Sequence, residues 1–303
     1  MMERAALAPI LAQRRHLPWY LELWVRMVRE KPLGAIGGAL VLILLLAAIL
    51  ADVLAPYGYN SIDPYHRLQP YSSPFWLGSD NLGRDVLSRI IYGARISIYV
   101  GLGAVGIGKF FATVLGVTSA YFGGRLDALV QRVVDAMMSF PSLVLLLSLL
   151  SIMGPGLAQV IAGIAVIQTF SSSRVIRGAA MTVKENMYVE AARAIGAGHG
   201  RIILRHILPN VMAPIIILAT VALGNVILLE ASVSFLGYGI PPPHPSWGGM
   251  LSGTGREFMY DAPWMAIWPG VALSLTVFGF NMMGDALRDL LDPRLRGGGG
   301  RFQ

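Results

Sequence analysis

"EAARAIGAGHGRIILRHILPN", residues 190–210, places three arginines, two histidines and three glycines between two stretches apolar enough to cross a membrane. A very hydrophobic chain either uses such a polar loop outside the bilayer or needs it only to join two spans. Residues 181–194 are good helix formers. Val183, Met187, Ala191 and Ala194 recur at spacings of four, four and three, which predicts one amphipathic helix with these residues on a single face. Gly196, Gly198 and Gly200 then predict a turn, and Arg201 to Leu208 a second short helix that Pro209 stops inside the loop.

The surrounding chain is that of a membrane protein. Its 303 residues are 55% hydrophobic and 14% charged, with mean hydropathy +0.61; a soluble domain carries about a quarter charged residues. Residues 33–54 contain a single acid, Asp52, and at about 1.5 Å per residue the segment spans about 30 Å, a bilayer core. This run is longer than the apolar region of a signal peptide, which predicts a retained helix. The hydropathy pattern predicts an all-α integral membrane protein with six spans, at 33–54, 96–119, 128–152, 157–173, 211–236 and 264–287. Arg132, Asp135 and Pro141 predict a kink or interruption in the third. Cysteine is absent from the sequence, which excludes disulfides and thiolate metal sites.

Lys and Arg orient the spans. Eighteen fall in the N-terminal arm, the 123–132 and 174–210 loops and the tail, against five (Arg67, Arg84, Arg89, Arg95 and Arg256) on the other side. The positive-inside rule predicts cytoplasmic N and C termini. The net charge of +7 is then topological, and nucleic acid is not an expected partner.

Two motifs mislead. "GLGAVG" at 101–106 matches a dinucleotide fingerprint, and "GAVGIGKF" at 103–110 nearly matches a P-loop. Neither follows a strand, Phe110 stands where magnesium needs a hydroxyl, and the glycines lie in a span, where small residues let helices approach. Lys109, Asp135 and Glu230 also fall within spans, where an ionised group is expensive unless it reaches a cavity or a partner. They are candidates for a translocation cavity, and equally for the relays of a proton-coupled secondary transporter or for structural pairs. No Ser-His-Asp set, paired-carboxylate site or His-Glu-x-x-His motif suggests an enzyme.

"EAA" at 190–192, Gly196 and "LP" at 208–209 resemble the EAA loop of permease subunits of binding-protein-dependent ABC importers. His206 stands where that family carries isoleucine, and Ile207 follows it. "LADVLAPY" (50–57), "LGSDNLGRDVLSRIIYGARISI" (77–98), "LLEASVSFLGYG" (228–239), "PSWGGML" (245–251) and "GDALRDLLDPRLR" (284–296) are similar to the C-type permease of dipeptide and oligopeptide importers. The resemblance implies a type I importer (MetI-like) permease fold in a prokaryotic plasma membrane. Its expected partners are a B-type permease, two cytoplasmic ATPases, an external peptide-binding protein, a peptide substrate and membrane lipid. ATP and magnesium would belong to the ATPases, leaving this chain without a cofactor. The expected organisation is an arm at 1–32, the first span and outer loop at 33–95, a permease core at 96–287 containing the coupling loop 174–210, and a tail at 288–303.

Under that resemblance Ala191, Ala192 and Gly196 are expected to enter a groove on an ATPase, with Glu190 and Arg193 at its rim and Leu208 and Pro209 closing the motif. The first outer loop carries prolines 56, 64, 70 and 74 and then an apolar stripe, Val86, Leu87, Ile90 and Ile91, which predicts an interfacial helix. On its polar side Arg84, Asp85 and Arg89 serve either to anchor the loop, with Asp85 and Arg89 paired, or to dock the binding protein. Nickel importers have similar permeases and make metal the rival substrate. Of five histidines only His66 and His244 are placed outside, and none lies in a span.

Overall fold

The computed structural model describes residues 19–291, so most of the expected tail and the first part of the N-terminal arm lie outside the described residues. Every regular element described is helical. Helix α1 (Trp19–Glu30) leads into α2 (Pro32–Ile49), started by a proline whose missing N–H costs nothing at a first turn, and a short α3 (Ala51–Leu54) follows. After an irregular segment with one 3₁₀ turn (Pro64–His66) come α4 (Val86–Phe122), α5 (Gly124–Met138), α6 (Ser142–Met153) and α7 (Leu157–Lys184). Then come α8 (Met187–Ala194), α9 (His199–Ile202), a π turn (Ile203–Ile207) and α10 (Leu208–Phe235). Two short helices, α11 (Trp247–Leu251) and α12 (Thr254–Glu257), precede α13 (Trp264–Leu291).

Among the described residues five helical segments are long and apolar enough to cross a membrane, or six if α5 and α6 count as one broken span. The two meet at 89°. The break falls at Pro141, whose ring and missing N–H oppose continuation of the helix, and α6 alone, with 12 residues, is about 18 Å long. Helix α4 departs from expectation at its start. Val86, Leu87, Ile90 and Ile91 are the first turns of a continuous 37-residue helix, about 55 Å long, and not a separate interfacial helix. Asp85 begins it by accepting from the Ser88 amide at 2.8 Å.

Small residues set the packing. A methyl group on Gly116 of α4 would stand 2.6 Å from the Ser173 carbonyl oxygen of α7, and one on Gly37 of α2 would stand 2.7 Å from the Gly279 carbonyl of α13. Such close approach supplies dispersion contacts where lipid offers little hydrophobic drive. Of the glycines in the false nucleotide motifs, Gly101 and Gly103 face Leu223 and Ile161 at 3.2 to 3.5 Å, while Gly106 faces open space. One buried cluster, with Val100, Leu146, Ile164 and Val226, ties α4, α6, α7 and α10 together in mid-bundle. A second, around Tyr121, Val189 and Ile202, closes the end that carries α8.

Candidate functional site, a helix and turn at one end of the bundle

The loop between α7 and α10 is two helices broken where the sequence pattern runs through. Asn186 takes extended backbone angles, and its side-chain amide donates to the Thr182 and Val183 carbonyls at 3.2 and 3.0 Å. It thereby satisfies the open end of α7 and starts α8 in a new direction. Val183 consequently packs with α7, and the predicted four-residue face shared with Met187, Ala191 and Ala194 does not exist. Helix α8 ends in a Schellman turn: Ala197 N–H reaches the Ala192 carbonyl at 3.0 Å, Gly196 N–H reaches that of Arg193 at 3.0 Å, and Gly196 sits at φ +84°. Of the three turn glycines only Gly196 uses a positive φ.

The unit is clamped to the membrane helices. Val189, Ile202 and Ile207 are fully buried against Ala112 and Tyr121 of α4, Ile176 and Ala180 of α7 and Val211 of α10. The Lys184 ammonium donates to the Ala120 carbonyl at 3.1 Å, and the Tyr121 hydroxyl meets His199 Nδ1 at 2.8 Å. Below this cluster Asp127 of α5 is held by the Arg177 guanidinium of α7, Nη2 to Oδ2 at 2.5 Å. Pro209 does not stop the second helix. The chain widens into a π turn in which Leu208 N–H bonds the Ile203 carbonyl, and Pro209 then occupies the first turn of α10.

Glu190, Ala191, Arg193, Gly196 and Pro209 are exposed, whereas Leu208 is half-buried in the clamp. Ala192 is buried against the chain itself, so its expected place in an external groove is corrected: its small size lets α8 sit close to its own bundle. Two large apolar residues point outward instead: Ile195, which the sequence pattern does not single out, and Met187, which it places on a shared face with Val183. Met187 and Ile195 are each 86% exposed at opposite ends of α8, flanking Ala191. Large apolar residues in an otherwise polar loop were the available signal.

The charged candidates lie elsewhere. Lys109 is buried between α4 and α7, where its ammonium donates to Gln168 Oε1 at 3.1 Å and to the Ser172 hydroxyl; its place is between helices, not in a cavity. Asp135 is half-exposed and paired with Arg174. Glu230 is buried in α10, accepting from the Ser234 hydroxyl at 2.7 Å. Arg84, Asp85 and Arg89 are all buried, which corrects their assignment to a docking surface. Asp80 accounts for both arginines, with Arg84 Nε at 2.7 Å and Arg89 Nε at 3.7 Å. Asp85 is occupied in capping α4, so the expected Asp85–Arg89 pair does not form.

Residues 112–297 match the family model described as the binding-protein-dependent transport system inner membrane component. The chain belongs to that permease family. Residues 20–70 also match the N-terminal transmembrane domain of oligopeptide transport permease C. The dipeptide transport system permease protein DppC of Alkalihalophilus pseudofirmus is 40% identical over 271 residues, 89% of each chain. The glutathione transport system permease protein GsiD of Pectobacterium atrosepticum is 40% identical over 280 residues, 92% of each. A solved structure titled as inward-facing conformations of the MetNI methionine ABC transporter matches with TM-score 0.49 and 20% identity over 64% of this chain and 94% of that one.

As a permease subunit of an ABC importer, the chain is a multi-pass protein of the plasma membrane and a transport component rather than an enzyme. An importer of this kind operates with ATPase subunits and a substrate-binding protein. In the permease α8 is an exposed helix, short and capped at its far end, whose inner side is continuous with the packing of α4, α7 and α10.

Proposed function

We propose that this permease forms one half of the pathway of a short-peptide importer, paired with a B-type permease, and that α8 couples it to a cytoplasmic ATPase. The observation that carries the coupling reading is the clamp of Val189, Ile202 and Ile207 beneath an outer face bearing Met187, Ala191 and Ile195. The peptide substrate rests on the relatives, which are named for dipeptides and glutathione. The asymmetry of Lys and Arg supports placing α8 and both termini in the cytoplasm.

Nucleotide-driven closure of the ATPases displaces α8. Because α8 shares a buried cluster with α4, α7 and α10, its displacement is passed to their ends as a rigid shift, biasing the bundle between inward and outward openings. Glu190 and Arg193 sit at the edge of the contact and set its register, while the apolar face supplies its area.

Single cysteines at 187, 191 and 195 in the assembled importer test this, with uptake of a labelled dipeptide measured in the same vesicles. Nucleotide-dependent cross-links to the ATPases with peptide uptake are expected. Absence of cross-links at all three positions overturns the coupling role, and uptake of nickel without peptide overturns the substrate.

A further inference from the structure

At the end of the bundle opposite α8, a cavity of about 540 Å³ opens between the C-terminal end of α2–α3, the start of α4, the α6–α7 turn and the 240–245 segment. Its volume falls in the range of about 300–1,000 Å³ typical of small-molecule sites. Most of its lining is apolar, and its polar groups converge from separate segments. Asp52 comes from α3, Arg95 and Tyr92 from α4, Tyr59 from the loop after α3, and His244 from the segment after α10.

These groups are held before any ligand arrives. The Arg95 guanidinium donates from Nε to the Ala48 carbonyl at 2.9 Å and from Nη2 to Asp52 Oδ2 at 2.8 Å, while Nη1 lies 3.4 Å from Oδ1. The Tyr92 hydroxyl donates to Asp52 Oδ1 at 3.0 Å, and Arg95 lies 5.5 Å from the Tyr92 ring centre. Tyr59 packs edge-on to Tyr92 at 5.2 Å and stacks on His244 at 5.6 Å. The Asp52 side chain nevertheless stays 69% exposed and that of Arg95 24% exposed. Arg95 has five N–H donors, and three take part in these contacts. Among the described residues the other two meet no protein acceptor.

We infer that this cavity is a binding site for a short zwitterionic peptide, whose α-ammonium is taken by Asp52 against the Tyr59 and Tyr92 rings and whose carboxylate is taken by the remaining N–H groups of Arg95. The inference rests on the peptide reading proposed above. Charge complementarity selects the occupant. Asp52 and Arg95 sum to no net charge, so the site offers one fixed charge of each sign, which suits a zwitterion and disfavours a bare anion. Aromatic faces attract an ammonium without selecting a side chain, and the apolar remainder tolerates varied residues. Two walls, Tyr59 and His244, come from segments outside the spanning helices, and the others from the start of α4 and the α6–α7 turn.

The test uses the complete importer in proteoliposomes with a benzophenone-bearing dipeptide as photolabel. Labelling is expected within 52–99 and 240–245, and it should be competed by free dipeptide but not by its N-acetylated, C-amidated form. Asp52→Asn should raise the uptake KM for the free dipeptide about tenfold, the loss of one charge-assisted contact, with kcat retained. The charge exchange Asp52→Arg with Arg95→Asp restores an ion pair but reverses the site, so it should not restore KM. Full recovery by the exchange would make the pair merely structural and overturn the inference. So would labelling confined elsewhere, an unchanged KM, or a phospholipid that copurifies and blocks labelling until it is extracted. A wild-type importer that moves no peptide overturns the proposed substrate itself, whereas peptide uptake without labelling here overturns this site alone.

Discussion

Tyr121, at the last turn of α4, and His199, at the first residue of α9, are joined hydroxyl to Nδ1 at 2.8 Å across 78 residues of sequence. Their rings also meet edge to face at 5.6 Å, so the contact fixes both position and orientation. It fastens the far side of the loop unit to the same helix that Lys109 ties to α7 in mid-bundle.

Tyr121→Phe keeps the ring and removes the hydroxyl. One neutral hydrogen bond is worth about 1 kcal/mol, too little to unfold the bundle but enough to loosen the clamp. The expected result is normal membrane yield with a lower ratio of peptide imported to ATP hydrolysed, measured in proteoliposomes. An unchanged ratio would mean that the Val189 and Ile202 packing holds the unit without it.

Gly196 offers a cleaner separation of strain from crowding. A methyl group there meets nothing within 4 Å, yet φ is +84°. Gly196→Ala should therefore cost about 1–2 kcal/mol of local backbone energy, and Gly196→Asn less, because asparagine tolerates left-handed angles. Hydrogen exchange of residues 187–197 should quicken in the order Gly, Asn, Ala. Equal exchange in all three would show that the turn relaxes without loss.

What the sequence made legible was what repeats locally. Spans follow from hydropathy, and the position of the break at Pro141 follows from the chemistry of one ring. The functional loop was visible because polar residues and glycines interrupt an apolar chain. Its internal boundaries were not, since the stop at Asn186 depends on one amide reaching back to α7, and the passage through Pro209 depends on a widened turn. Arg84 and Arg89 read as surface residues because their partner, Asp80, lies in a loop whose folding back is a tertiary event. Sequence periodicity puts Met187 on an apolar face with Val183 and Ile195 on none; that both point outward emerges only once Val189 and Ala192 claim the inner face of α8.

Asp80 is the residue whose loss should be felt most at the opposite end. Its carboxylate pairs with Arg84, lies near Arg89 and accepts the backbone N–H groups of Leu82 and Arg84, both at 2.9 Å. Asp80→Ala takes the carboxylate from the buried Arg84 guanidinium and leaves Arg89 with the Tyr59 carbonyl, a loss of about 3–5 kcal/mol. Limited proteolysis should cut within 58–84 in the variant and spare the wild type. Asp85→Ala, which removes a helix cap and no ion pair, should cost about 1 kcal/mol and leave the loop resistant.

Lys109 lets the energetics of a buried cation be read from both sides. Lys109 is 6% exposed and the two side-chain partners of its ammonium, Gln168 Oε1 and the Ser172 hydroxyl, are neutral, so among the described residues no carboxylate offsets its desolvation. Removing the charge relieves that cost and leaves two polar groups on one turn of α7, four residues apart, able to bond each other. Lys109→Leu should therefore shift the thermal midpoint of the solubilised importer little, within about 1 kcal/mol. Gln168→Leu does the reverse: it keeps the ammonium buried and takes away one of its two side-chain partners, at a cost of about 1.5–3 kcal/mol. The double variant should recover most of that loss, because the stranded charge is gone. If Gln168→Leu were harmless alone, the ammonium would have to reach another acceptor or water, and its role as a tie between α4 and α7 would fall.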